Sequence, residues 1–118
     1  MTDYLFLFKG GRPSESSLSP EEMQQHMDKW FSWIAALRDQ GIYKGGEPLE
    51  DGGLIVNSDQ TITDGPFPET KEMIGGYVMI TSESAEAASE IAKDCPVLAL
   101  GGKVEVRQVM VLEAACSP

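Results

Sequence analysis

Asp64-Gly65-Pro66-Phe67-Pro68-Glu69-Thr70-Lys71-Glu72 is the segment on which the fold turns. Pro66 and Pro68 fix φ at about −65°. They also push Gly65 and Phe67 toward extended backbone. Such a segment cannot continue a helix, and a proline removes the donor that a central strand needs. It reads as a stiff connector between two strands. It holds Asp64, Phe67, Glu69, Lys71 and Glu72 at nearly fixed places, and rigid loops are where binding residues concentrate.

Downstream, Gly75-Gly76-Tyr77-Val78-Met79-Ile80 is an apolar strand. Ser82-Glu83-Ser84-Ala85-Glu86 opens a helix that runs to about Asp94, with Ala85, Ala88, Ile91 and Ala92 inward. The small alanines predict a close approach to the sheet, and Pro96 ends the helix. Lys103 to Leu112 is the last strand, with Val104, Val106 and Met110 on one face and Val109 and Val111 on the other.

Upstream, Leu54–Asn57 and Gln60–Thr63 flank Ser58-Asp59 as a hairpin. Ile42 to Leu49 is a strand weakened by Gly45, Gly46 and Pro48. Before it lies a strong helix. Ser19 is the N-cap, Pro20 the first helical residue, and Glu22 completes a capping box. Met23, Met27, Trp30, Ile34 and Leu37 recur at helical spacing, and Gly41 is the stop after Gln40. Phe31 and Trp33 widen the stripe, with Trp33 off its main face and toward a partner. The first strand, Asp3 to Lys9, sets Tyr4, Phe6 and Phe8 on one face and Leu5 and Leu7 on the other. Both faces are apolar, which marks a strand covered on two sides.

The order strand, helix, strand, hairpin, strand, helix, strand predicts a single α+β domain over residues 1–118: a ferredoxin-like sandwich with an added β-hairpin. Two helices cover one face of such a sheet. The first, third and last main strands read as apolar on both faces, so the open face is expected to pack on a second copy as a two-fold homodimer.

With 118 residues and 42% hydrophobic content, the chain has enough material for a core. No apolar run reaches the ~20 residues of a membrane span. The first residues carry no signal-peptide pattern, and a cytoplasmic location is expected. The net charge of −10, with nine scattered basic residues, argues against nucleic acid and anionic membranes as partners. Cys95 and Cys116 form no disulfide framework. One histidine and no paired cysteines give no zinc site, and no metal or cofactor is expected. Gly10-Gly11 and Gly101-Gly102 lack phosphate-loop spacing.

Asp64-Gly65-Pro66-Phe67, Glu69-Thr70-Lys71-Glu72 and Gly75-Gly76-Tyr77 together resemble the signature of the YCII-related proteins, in the branch called DGPF-domain proteins. The likeness extends to the aromatic first strand, Leu18-Ser19-Pro20-Glu21-Glu22, Gly45-Gly46-Glu47-Pro48-Leu49 and Val104-Glu105-Val106-Arg107. It runs nearly end to end. The resemblance implies a dimeric α/β barrel, in which two sheets pack face to face. It implies little about activity. Some relatives are associated with extracytoplasmic-function sigma factors, and others are similar to a dehydrochlorinase of a chlorinated hydroxyquinol. A His–Asp pair has been proposed as the active site in the YCII branch. Its positions match Trp30 and Cys95 here, so this chain lacks the pair.

Three functional readings follow. The first is a dimeric domain binding a small molecule or partner between the sheet and the proline loop, at Asp64, Phe67, Glu69, Lys71 and Glu47. The glycines before Glu47 let a ligand approach the backbone. The second is a lyase or dehydrochlorinase on a phenolic substrate, with Asp64, Glu69 or Glu72 as the acid–base group. The third is an accessory protein acting with a sigma factor. His26 lies off the Met23, Trp30 and Ile34 stripe and reads as an exposed or rim histidine. Cys95 sits at a helix C-terminus, where the dipole raises a thiol pKa and disfavours nucleophilic work.

Overall fold

The computed structural model describes residues 1–11, 18–50, 52–65 and 73–112. Its elements are β1 (Thr2–Lys9), α1 (Pro20–Asp39), β2 (Tyr43–Pro48), β3 (Leu54–Val56), β4 (Ile62–Asp64), β5 (Ile74–Ser82), α2 (Ala85–Ala92), a 3-10 helix (Pro96–Leu100) and β6 (Lys103–Gln108). The main sheet runs β2-β5-β1-β6, and its three pairings are antiparallel. That order is ferredoxin-like. β3 and β4 form the separate, added hairpin. The prolines of residues 66–72 lie outside the described residues. The elements on either side of them, β4 and β5, are the ones the connector was expected to join.

Alternation along each strand assigns the two faces. Tyr4, Phe6 and Phe8 of β1 are buried beside Val78 and Ile80 of β5, and Val104 and Val106 pack against them. Trp33 and Leu37 of α1 and Ala88 and Ala92 of α2 close that core from above. α1 forms as its sequence dictates. The Ser19 hydroxyl accepts from the Glu22 N–H while the Glu22 carboxylate accepts from the Ser19 N–H, with Pro20 first in the helix. After Gly41 (φ 74°), Ile42 donates to the Leu37 carbonyl and accepts from the Thr81 N–H. This double tie fixes where β2 begins beneath α1.

Several expectations are corrected. Trp33 does not face outward: it is 8% exposed and stacks on Phe6 at 6.2 Å. The buried line of α1 runs through His26, Trp33 and Leu37, about one residue off the anticipated Met–Ile stripe, so Met27 and Phe31 are left exposed. Ala85 is exposed too, and α2 stops at Ala92. The last strand ends at Gln108, leaving Met110, Val111 and Leu112 exposed. Nor is that strand apolar on both faces. Glu105 pairs with Leu7 and Arg107 with Leu5 on the open face, where Glu105 accepts from Lys9 at 2.7 Å and from Arg107 at 3.1 Å. The open face is thus an apolar centre of Leu5, Leu7, Tyr77 and Met79 with ionic margins, Lys44–Asp3 forming a further one at 3.1 Å.

The paired glycines have a packing reason. A Cβ on Gly11 would meet Gly102 backbone atoms at 2.9 Å, so the chain after β1 crosses the turn before β6 backbone on backbone.

Candidate functional site

A cleft of about 540 Å3 opens between α1 and the β2–β5 side of the sheet. Met27, Trp30, Phe31 and Ile34 form its helical wall, and Tyr43 borders it from the strands. Its floor is bare backbone at two points between Phe8, Pro48 and Val78. Gly46 stands opposite Val78 and Gly76 opposite Pro48 in the ladder. A Cβ on Gly46 would lie 2.8 Å from the Val78 side chain, and one on Gly76 would lie 3.0 Å from the Glu47 carbonyl oxygen. Glycine at these two positions keeps the adjacent strands close and the floor open. The volume falls within the ~300–1,000 Å3 of small-molecule sites.

At one end stands His26. It was expected at the surface, yet it is 6% exposed. Its Nε2 accepts a hydrogen bond from the Trp30 indole Nε1–H at 2.9 Å. Indole donates only, so Nε2 must be unprotonated for the bond to exist. Burial holds the His26 pKa below its ordinary value, and the nearby Lys29 charge adds to that. The bond orients Trp30, whose ring meets Phe8 edge-on at 5.0 Å and Trp33 at 5.8 Å. At the other end Arg38 lays its guanidinium 4.9 Å from the centre of the Tyr43 ring.

The anticipated site residues divide. Glu47 borders the cleft, but it pairs with Tyr77 in the ladder, which directs its carboxylate to the sheet face away from α1. Asp64 is exposed at the end of β4 and does not line the cleft. Phe67, Glu69, Lys71 and Glu72 lie outside the described residues. The residue after them, Met73, accepts from the Gly10 N–H at 3.0 Å, and Gly10 and Gly75 both line the cleft. Cys95 is buried between α2 and the 3-10 helix, and burial, rather than a helix dipole, pushes its thiol up to about 12. Among the described residues no group of three His, Cys, Asp or Glu side chains converges to hold a metal ion, and no helix is long and apolar enough to cross a membrane.

Sequence reasoning missed Phe31, Arg38 and the buried role of His26. One signal was available: His26 and Trp30 are four apart, hence stacked on one helix face.

The sequence matches the YCII-related domain over residues 4–113. The chain belongs to the YCII-related family. In this YCII-related protein the match spans the whole cleft, from β1 through β6. A solved structure similar to it is that of the 5-chloro-2-hydroxyhydroquinone dehydrochlorinase TftG from Burkholderia phenoliruptrix AC1100, in complex with 2,5-dihydroxybenzoquinone. The two chains are 16% identical, with 92% of this chain and 93% of that one covered and a TM-score of 0.47. No curated protein matches the chain.

Proposed function

We propose that this YCII-related domain binds a small, flat, largely apolar molecule in the cleft between α1 and the β2–β5 strands. One observation carries the reading: a helical wall of Met27, Trp30, Phe31 and Ile34 faces a floor that Gly46 and Gly76 leave partly open. Apolar walls with few polar groups are the usual makeup of a ligand site. Phe31 supports the reading further, since it is 64% exposed and an aromatic ring left in water gains by covering. Met73, the first described residue before β5, accepts from the N–H of the cleft-lining Gly10. Asp64 stands away from the cleft on the added hairpin, and this reading gives it no part.

Calorimetric titration with 2-naphthamide, a neutral bicyclic probe, tests this. One saturable site per chain is expected, weakened about tenfold or more in Phe31→Ala, which removes roughly 1.4 kcal/mol or more of contact. Absence of saturable binding, or binding indifferent to Phe31, contradicts the reading.

We also propose that the open sheet face pairs with a second copy, forming a two-fold dimer whose sheets face each other as a barrel. Leu5, Leu7, Tyr77 and Met79 supply the apolar centre, and the Lys9–Glu105–Arg107 and Lys44–Asp3 pairs supply a polar rim. Sedimentation at micromolar concentration is expected to give a dimer, and Met79→Glu a monomer. A stable wild-type monomer rules the pairing out.

A further inference from the structure

We infer that the molecule occupying this cleft carries a carboxylate, which meets Arg38 while its aromatic body lies against Trp30, Phe31 and Ile34. The inference rests on the cleft reading above and names the chemistry of its ligand.

The chain has 19 acidic and nine basic residues, so acidic partners are plentiful. Lys9 and Arg107 share Glu105, Lys44 pairs with Asp3, and Lys93 pairs with Glu90. Arg38 and Lys29 take no part in any ion pair among the described residues, and of the two only Arg38 lines the cleft. The one contact of this kind that Arg38 makes is with the face of the Tyr43 ring. Stacking fixes a guanidinium in place yet leaves its N–H fork in the plane for a planar two-oxygen acceptor. Arg38 borders the cleft, and Glu47 is the one acidic residue that does so among the described residues. The register of Glu47 opposite Tyr77 sends that carboxylate to the other face of the sheet. Among the described residues, the cleft therefore presents a positive end with no acid directed into it.

The polarity is one-ended. His26 lies twelve residues before Arg38 on α1, about 18 Å along the helix axis, and its Nε2 is already occupied by Trp30. Ile34 and Phe31 are one and two turns from Arg38 on the same helix, about 6 and 10 Å along the axis. An acid with a one- or two-ring body spans that interval. Arg38 also stands in the last turn of α1, where the helix dipole favours a cation. That structural role alone predicts no preference between charged and neutral ligands, which makes the two accounts separable.

The probes are 2-naphthoate and its neutral counterpart 2-naphthamide, titrated calorimetrically into the full chain, wild type and Arg38→Gln. In the wild type, naphthoate is expected to bind about tenfold tighter or more, the worth of one charge-assisted pair. In Arg38→Gln that preference disappears, while naphthamide binds as before. Equal affinity of the two probes for the wild type overturns the inference and leaves the cleft reading standing. A naphthoate preference that survives Arg38→Gln also overturns it, by placing the anion elsewhere. Failure of both probes to bind contradicts the cleft reading itself, and this inference with it.

Discussion

α1 and α2 lie on the same face of the same sheet and meet it in opposite ways. α2 touches the sheet with Ala88 and Ala92, both buried. Its N-cap Ser84 accepts from the Ala87 N–H, and the short side chains let the helix settle onto the strands. α1 meets the sheet through Trp33 and Leu37, with Phe6 and Phe8 beneath, and over β2 and β5 it leaves a cleft. The strands there offer Gly46 and Gly76 rather than side chains that would fill the gap. Bulk on the helix above glycines on the strand makes a cavity, whereas small residues on a helix set close to the strands make a core. The function proposed here resides in that mismatch.

The comparison can be broken from its most stable point outward. Leu37 is 2% exposed and anchors α1 beyond the cleft. Leu37→Ala is expected to cost about 2–5 kcal/mol in urea unfolding. Enlarging the closed side should cost less but remain plain: Ala88 has no accessible surface, so Ala88→Leu overpacks by about 1–3 kcal/mol. Enlarging the open side should not. Ile34→Trp places its added volume in the cleft, so stability is expected to stay within about 0.5 kcal/mol while 2-naphthamide binding is lost. Equal destabilisation by Ala88→Leu and Ile34→Trp would erase the distinction between the two interfaces.

A smaller effect follows from His26. Its folded-state pKa is lowered by burial, so the unfolded chain binds the proton more readily. The stability it contributes is complete above the unfolded value of about 6.5 and is lost as pH falls below that toward the folded pKa. Protonation also turns Nε2 into a donor facing the Trp30 N–H, ending a hydrogen bond worth about 1 kcal/mol. His26→Gln keeps an acceptor and does not titrate. Between pH 7 and 5 the wild type should lose stability relative to this variant, and parallel profiles would refute the assignment. The smallest effect is expected at the hairpin: Asp64→Asn should leave 2-naphthamide affinity unchanged.

Much of the fold was legible because local chemistry and topology agree. The capping box at Ser19 and Glu22, the stop at Gly41, the hairpin around Ser58-Asp59 and the aromatic alternation of β1 each specify one outcome. The phase of α1 was not legible. Met23, Met27, Trp30, Ile34 and Leu37 form an acceptable stripe, and so do His26, Trp30, Trp33 and Leu37. Periodicity alone cannot choose between two apolar faces of one helix. Packing chose the second, and Met27, Trp30 and Ile34 of the first became a cleft wall. β6 was misread because its apolar tail, Val109 to Leu112, looks like strand, whereas pairing with β1 ends at Gln108 opposite Tyr4. The site was sought at the carboxylates flanking the prolines. Its chemistry among the described residues is aromatic, with one guanidinium, and glycines in two different strands define it only once those strands pair.

The cleft account is tested most directly by the two tryptophans, because Trp30 lines the cleft and Trp33 belongs to the core. They are the only two in the chain, so a 15N-labelled sample gives two indole signals. Adding 2-naphthamide should shift the Trp30 indole resonance through saturation and leave that of Trp33 nearly in place. A shift confined to Trp33, or saturable binding that moves neither signal, would contradict a ligand site beneath α1.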